Sequence, residues 1–346
     1  MTKKDFITGM EFSAKQLQEI IDLAISFKKG KVPQHAERII TLFFANPSLR
    51  TRLSFESGMK KMQGKVNVLS GNDTWNFEYR EGAVMNADKQ EHIKEAAQVI
   101  SKYTDLLAIR KSELITTKSD QSDSNWNELK KDEAIATLAK YATVPVINME
   151  SNMFHPCQAL ADIMTMIEQF KSIKNKKYVL TWAPHPKPLP LATPHSQLLM
   201  PAMFGMDVTL AHPPSFNLDE DVIKLAKAQA KESGGSLQIT QDQEKALKNA
   251  DVVMAKSWAS LKYFGDWQKE TKHRNKFKNW IIDNEKMSLT NEAIFMHCLP
   301  VRRNVVVSDE VLDSGKSIII QEAENRMWAQ MALMHYLLTL KSGKLH

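Results

Sequence analysis

Cysteine is nearly missing from this 346-residue chain, which holds two, Cys157 and Cys298. Two thiols cannot build a disulfide framework, and they fit a reducing, cytoplasmic compartment. Glycine is sparse too, at 12 residues, and no predicted strand runs into the G-x-G-x-x-G turn that seats a dinucleotide. That sets aside a nicotinamide-dependent dehydrogenase. No apolar run approaches the roughly 20 residues needed to cross a bilayer. The opening MTKKDFITGMEF lacks the apolar core and small-residue cleavage site of an export signal. The formal charge of +6 is mild and its lysines are scattered, whereas a nucleic-acid surface would show a clustered basic face with interleaved aromatics. What remains is a globular composition, 43% hydrophobic and 25% charged, long enough for two α/β domains of about 150 residues each. The mild positive balance suits a small anionic substrate.

Apolar or β-branched runs recur along the chain and predict strands: RIITLFF (38–44), KVNVL (65–69), DLLAI (105–109), PVINM (145–149), YVLTW (178–182), DVTLA (207–211), SLQIT (236–240), DVVMA (251–255), AIFMH (293–297) and SIII (317–320). Between them lie amphipathic stretches such as EHIKEAAQVISKY, EAIATLAKYA, CQALADIMTMIEQF and LDEDVIKLAKAQAKES. Alternation of this kind implies parallel sheets wrapped by helices. Ten strands overfill one sheet, so the expected fold class is α/β with two doubly wound parallel-sheet domains. The first spans 1–150, joined by a C-terminal helix at 323–346, and the second spans 151–322. The polar stretch 112–133 predicts a long surface loop without an assigned role.

Several residues cluster at predicted strand ends. FFANPSLRTRLSFESG places Ser48 as an N-cap with Arg50, Thr51 and Arg52 in the first helical turn. Arginines there oppose the helix dipole, a conflict that an anion on the exposed N–H groups resolves. DLLAIRK puts Arg110 at a strand's carboxyl edge, where α/β sheets bind ligands. MFHPCQAL sets His155 before a helix opened by Pro156, with Gln158 in its first turn. MHCLPVRRN follows another strand, and EAENR carries Arg326 at a predicted helix start. Taken singly, each has a structural account: a helix-start histidine, an inert core cysteine, solvated arginines.

Taken in order, the set resembles the carbamoyltransferases, relatives of aspartate and ornithine carbamoyltransferase. Their carbamoyl-phosphate signature appears as Ser48-Leu49-Arg50-Thr51-Arg52, Arg110, His155-Pro156-Cys157-Gln158, His297-Cys298-Leu299-Pro300 and Arg326, spread over essentially the whole chain. The resemblance implies that an amine attacks the carbonyl carbon of carbamoyl phosphate and phosphate leaves, with no metal, cofactor or covalent intermediate. It implies that backbone N–H groups from Ser48 through Leu49 to Thr51, with the Arg50 side chain, hold the phosphate, aided by Arg326. Thr51, Arg110 and His155 would polarise the carbonyl oxygen. Gln158 and the backbone carbonyls of Cys298 and Leu299 would take the carbamoyl NH2.

The stretch TWAPHPKPLPLATPHS (181–196) and the sequence DVVMAKSW stand where ornithine enzymes carry D-G-x-N-N and D-x-W-x-S-M-G motifs. Both resemble a narrower branch, the N-acyl-ornithine carbamoyltransferases of arginine synthesis. A free amino acid presents an α-ammonium that Lys256 would repel, whereas an acylated nitrogen is neutral and leaves the lysine for the carboxylate. The branch resemblance implies amine-substrate contacts at Glu150, His185, Lys256, Cys298 and Arg302. It also implies that Trp75 reaches carbamoyl phosphate, and Gln90 the acyl group, from an adjacent subunit. Gln90 replaces a glutamate of the acetyl type and a proline of the succinyl type, and Val306 replaces a lysine that becomes carboxylated. Flanking stretches such as ESGGSLQ and AKSWASLKYFGDW favour N-acetyl-L-ornithine as substrate, with N-succinyl-L-ornithine as the alternative and plain ornithine behind it. The same resemblance implies a cytoplasmic homotrimer with shared active sites and a trefoil knot threaded by the proline ribbon, with no nucleic-acid or membrane partner. His195 is expected to be an ordinary helix-start residue. A different class, a non-catalytic anion-binding or regulatory protein on this scaffold, is disfavoured by the intact residue set.

Overall fold

The computed structural model of the chain describes residues 3–71, 73–112 and 125–342. These fall into two compact units. The described residues of Met1–Glu113, Leu129–Met164 and Glu324–His346 make the first, and those of Leu114–Glu128 and Thr165–Ala323 make the second. The division runs through the helix Pro156–Phe170, so residues 151–164, expected with the second domain, cluster with the first.

In the first unit the strands are β1 (Ile39–Phe44), β2 (Lys65–Ser70), a short pair β3 (Phe77–Glu78) and β4 (Glu91–His92), then β5 (Leu106–Arg110) and β6 (Val146–Glu150). A four-stranded sheet has the order β2-β1-β5-β6, every pairing parallel. Strands β1, β5 and β6 are buried almost end to end, as a parallel sheet covered on both faces requires. Strand β2, at the edge, has no fully buried position. The helices Ile93–Tyr103 and Glu133–Tyr141 close one face, packing Ile93, Ala97, Ile135 and Leu138 against Phe43, Leu107, Ile109 and Val146.

In the second unit β7 (Lys177–Trp182), β8 (Asp207–Ala211), β9 (Ser236–Thr240), β10 (Val252–Lys256) and β11 (Ile294–Met296) form a parallel sheet of order β11-β10-β7-β8-β9. The helix Ala192–Met203 is buried on every side, and His195 in its first turn accepts from the Asp219 N–H through Nε2 at 3.3 Å. The helix Glu220–Ser233 ends on Gly234 in the left-handed conformation (φ 81°). The following Gly235 is obligatory for a different reason: a Cβ there would lie 2.4 Å from the Met206 carbonyl oxygen.

Nine of the ten expected strands form, within a residue or so at each end. The exception is SIII at 317–320. Ser317 makes one isolated parallel bridge to Phe295, and the helix Ile319–Ser342 then begins, with Ile319 buried and Ile320 72% exposed. A run of three apolar residues cannot be told from a buried helix turn by periodicity alone. Arg326, expected at a helix start, therefore lies inside this helix, about two turns from its first residue. Of the expected loop 112–133, residues 113–124 lie outside the described residues. Trp126–Leu129 forms a helical turn whose Trp126 Nε1 donates to Asp219 Oδ2 at 2.7 Å.

The C-terminal helix packs on the first unit, with Tyr336 edge-on to Phe12 and His335 edge-on to Phe27. His335 Nδ1 also meets His35 Nε2 at 2.9 Å, so one ring donates and the other accepts. Burial, and then the neighbouring His35, push His335 from 6.5 down to about 4; burial and then Arg38 lower His35 as well. Both rings are neutral when folded and charge more readily when unfolded. Their stabilising contribution is therefore complete above pH 6.5 and lost as pH falls toward about 4. The melting temperature is expected to drop across that window, and less steeply in His335→Gln. Identical slopes for the two proteins would refute this assignment.

Candidate active site

The candidate residues fall into two sets, one in each unit. In the first unit β1 ends at Phe44, and register places Phe44 opposite Arg110 at the end of β5. The Ala45 N–H donates to the Arg110 carbonyl at 3.0 Å, and Asn46 Oδ1 accepts from the Ser112 N–H at 2.7 Å. The turn so fixed delivers Ser48 as N-cap of the helix Leu49–Lys61, its hydroxyl accepting from the Thr51 N–H at 3.4 Å. The helix has no acidic residue in its first turn. Arg52 turns back to Glu56 at 2.7 Å and, by that hydrogen bond, holds the carboxyl below its usual range. Arg50 has no such partner: its Nε is buried and meets no acceptor among the described residues. Thr51 is fully buried, and its hydroxyl oxygen accepts from Arg326 Nη2 at 2.8 Å. The Thr51 hydrogen is thereby available for donation elsewhere.

Pairing between β5 and β6 slips by one residue after Ile109–Asn148, and Arg110 faces Glu150. That bulge brings the two side chains into an ion pair through Arg110 Nη1, and His155 Nε2 lies 3.6 Å from the same Glu150 oxygen. Glu150 and His155 are both more than nine-tenths buried, and Arg110 Nε is buried without an acceptor among the described residues. Pro156 opens the helix Pro156–Phe170 at N1, where a missing N–H costs nothing. Gln158 Nε2 donates to Asp162 at 2.8 Å, which turns its amide oxygen away from that carboxylate. Cys157 is fully buried, and desolvation pushes its thiol up to about 12, so it is no nucleophile.

In the second unit the proline ribbon leaves β7 and runs beside the segment after β10. The Ala183 N–H donates to the Lys256 carbonyl at 3.0 Å, and the Ala259 N–H to the Leu189 carbonyl at 2.9 Å. On the ribbon, His185 Nε2 accepts from Arg302 Nε at 2.9 Å. Arginine only donates, so the ring proton sits on Nδ1, facing the Lys187 carbonyl at 2.8 Å. Burial first, and then the charges of Arg302, Lys256 and Arg274, lower His185 to about 4, which keeps the ring neutral at physiological pH. Pro184, His185 and Pro186 line a cleft of about 380 Å³ with Arg274, Lys278 and Val305. Cys298 is buried, and Leu299 has φ 56°, uncommon for a residue with a branched side chain. The Leu299 N–H donates to His297 Nδ1 at 2.9 Å, and the His297 N–H donates to Glu322. Val306 is buried, its backbone N–H held by the Arg302 carbonyl.

Leu49, Trp75 and Gln90 stand apart. All three are exposed, Trp75 by 63%, and no hydrogen bond or ion pair ties them to the other candidates among the described residues. Trp75 lines a cleft of about 490 Å³ with Leu69, Phe77, Val99 and Ile100.

A sequence model of the aspartate/ornithine carbamoyltransferase carbamoyl-P binding domain matches residues 4–168, and one of the Asp/Orn binding domain matches residues 192–337. The chain belongs to the aspartate/ornithine carbamoyltransferase family. It is 42% identical to an N-acetylornithine carbamoyltransferase of Xanthomonas campestris pv. campestris over 96% of this chain and 97% of that protein. It is 35% identical to an N-succinylornithine carbamoyltransferase of Bacteroides fragilis over 84% of each. It superimposes with a TM-score of 0.91 on acetylornithine transcarbamylase complexed with acetylcitrulline, at 42% identity, covering 96% of this chain and 99% of that one.

Within this carbamoyltransferase chain, one element behind the second set escaped the sequence. Arg274 and Glu270 are fully buried and paired, though WQKETKHR reads as a solvated helix with an i,i+4 pair. Arg274 also donates to Ser257 Oγ and the Trp258 carbonyl, each at 2.8 Å, and lies over the faces of Trp182 and Phe216. It thereby fixes the AKSW segment from beneath. No signal in the sequence could have found it, because Trp182, Phe216 and Arg274 are far apart along the chain and meet only in the fold. Arg274→Met is expected to destabilise the protein by about 3–5 kcal/mol in denaturant unfolding, because Glu270 is left buried and unpaired. Adding Glu270→Leu should recover part of that loss, and a double variant no better than the single would refute the pairing account.

Proposed function

We propose that this protein transfers the carbamoyl group of carbamoyl phosphate to the δ-amine of N-acetyl-L-ornithine, giving N-acetyl-L-citrulline and phosphate. The observation that carries the reading is the pair of buried arginine nitrogens without acceptors among the described residues, Arg50 Nε in the first turn of an acid-free helix start and Arg110 Nε at the end of β5. A buried donor left without an acceptor is costly, and an anionic ligand with several oxygens meets both demands. The N–H groups from Ser48 to Thr51, with Arg50 and Arg326, hold the phosphate. The Thr51 hydroxyl, Arg110 and His155 stabilise the carbonyl oxygen as the amine adds and the bond to phosphate breaks. Gln158 and the carbonyls of Cys298 and Leu299 orient the NH2.

In the second unit Lys256 and Arg302 take the substrate carboxylate, and the neutral His185 sits among them. A free α-ammonium would meet repulsion there; an amide would not. The named acetyl-type relatives support the acetyl group. Gln90 supports N-succinyl-L-ornithine as the second reading, because it would not repel a succinyl carboxylate as glutamate would. A homotrimer supplying Trp75 and Gln90 across subunits belongs to the same proposal, as does the knotted ribbon. A cytoplasmic location rests on two cysteines that are both free. No described helix is long and apolar enough to cross a membrane.

Purified protein with carbamoyl phosphate should turn over N-acetyl-L-ornithine fastest, N-succinyl-L-ornithine more slowly and ornithine least. Faster turnover of free ornithine would overturn the N-acyl reading, and no turnover with any amine would leave an anion-binding protein. Thr51→Val should lower kcat about 100-fold if its hydroxyl serves the developing oxyanion. Gln90→Glu should sharpen the preference for the acetyl substrate and Gln90→Pro should shift it toward succinyl. An unchanged ratio in both variants would remove Gln90 from the specificity argument.

A further inference from the structure

Asp132 occupies the position before the helix Glu133–Tyr141, where an aspartate ordinarily accepts from the helix's own first N–H groups. Here it makes no such bond, and its backbone is left-handed (φ 51°, ψ 37°). The carboxylate turns instead to a distant turn. Oδ1 accepts from the Asn152 N–H at 2.8 Å, and Oδ2 accepts from the Met153 N–H at 3.1 Å and from the Ser151 hydroxyl at 2.5 Å. Ser151 Oγ in turn accepts from the Phe154 N–H at 3.2 Å and from Asn148 Nδ2 at 3.1 Å. A helix cap and a relaxed backbone are both given up for this clamp.

The clamped residues, Ser151 to Met153, are most of the link between Glu150 and His155. His155 Nε2 lies 3.6 Å from the Glu150 oxygen that also pairs with Arg110. A four-residue connection free to flex would let the imidazole drift relative to the guanidinium. We infer that Asp132 is a positioning residue: its carboxylate fixes the Ser151–Met153 turn and through it the relation of His155 to Glu150 and Arg110. This rests on the carbamoyl-transfer reading only for its kinetic consequence. The geometric claim stands on the hydrogen bonds alone.

The test uses the full chain carrying Asp132→Asn or Ser151→Ala. Asparagine keeps the shape but turns an NH2 toward one of the backbone N–H groups. Alanine removes one donor and leaves the carboxylate with two. The His155 ring, assigned with His155→Gln, is followed by long-range proton–nitrogen NMR through a pH titration. Its midpoint is expected to move by at least about 0.5 pH unit in Asp132→Asn, and in the same direction but less in Ser151→Ala. In turnover assays kcat should fall about 10- to 100-fold in Asp132→Asn at a temperature where circular dichroism shows it folded. A merely structural aspartate would lower the melting temperature and leave both the His155 titration and kcat unchanged, and that result overturns the inference. Should Asp132→Asn fail to fold, Ser151→Ala decides by the same two readouts. Should the unaltered protein turn over no amine, the proposed reaction fails while the His155 titration still decides the role of Asp132.

Discussion

Parallel pairing is the constraint on which the rest of the structure depends. Each strand of the two principal sheets runs in the same direction as its neighbours, so the chain must leave each sheet at the same edge and return through a crossover. Strands that are apolar along their length place polar residues at that exit: Arg110 on β5, Glu150 on β6, Lys256 on β10. The sheets thus sort chemistry by position. Apolar runs make the layers, and the last residue of each strand and the turn beyond it carry what a ligand can feel.

Charges held so near a core need partners, and the structure supplies them with different strictness in the two units. Glu270 and Arg274 satisfy one another and two further acceptors beneath the AKSW segment, and Arg274 is shielded by aromatic faces. That pair is closed, and it braces. Arg110 is treated otherwise. One of its nitrogens pairs with Glu150, while Nε is buried with no acceptor among the described residues. A fold that completes one guanidinium and leaves another incomplete separates a structural ion from a binding one, since only the second stands to gain when an anion arrives.

Much of this was legible from the sequence for physical reasons. Buried parallel strands are short β-branched runs, and nine of ten were found from that pattern alone. Ser48 as N-cap and Pro156 at the first helical position follow from backbone geometry any helix shares. SIII failed because a serine and three isoleucines carry no period, and Arg326 moved with it into a helix interior. Asp132 and the Glu270–Arg274 pair were invisible because their meaning is tertiary. The first looks like a helix cap and the second like a surface i,i+4 pair until burial and partners are known. Arg302 and His185 were placed together by resemblance, but the neutral state of the ring emerges only from the charges around it.

That neutral ring bears on which amine is accepted. A ribbon of prolines pre-sets backbone angles, so it can hold a side chain in place where a glycine turn would leave it loose. Here it presents His185 as an acceptor to Arg302, with Lys256 close enough to depress its protonation further. Each of these groups raises the local positive potential, and the histidine, by staying uncharged, avoids adding to it. An incoming carboxylate gains from that field, an amide nitrogen is indifferent to it, and an ammonium loses. On the proposed reading, discrimination against the free amino acid draws on this field, and contacts to the acyl group choose between acids of different length.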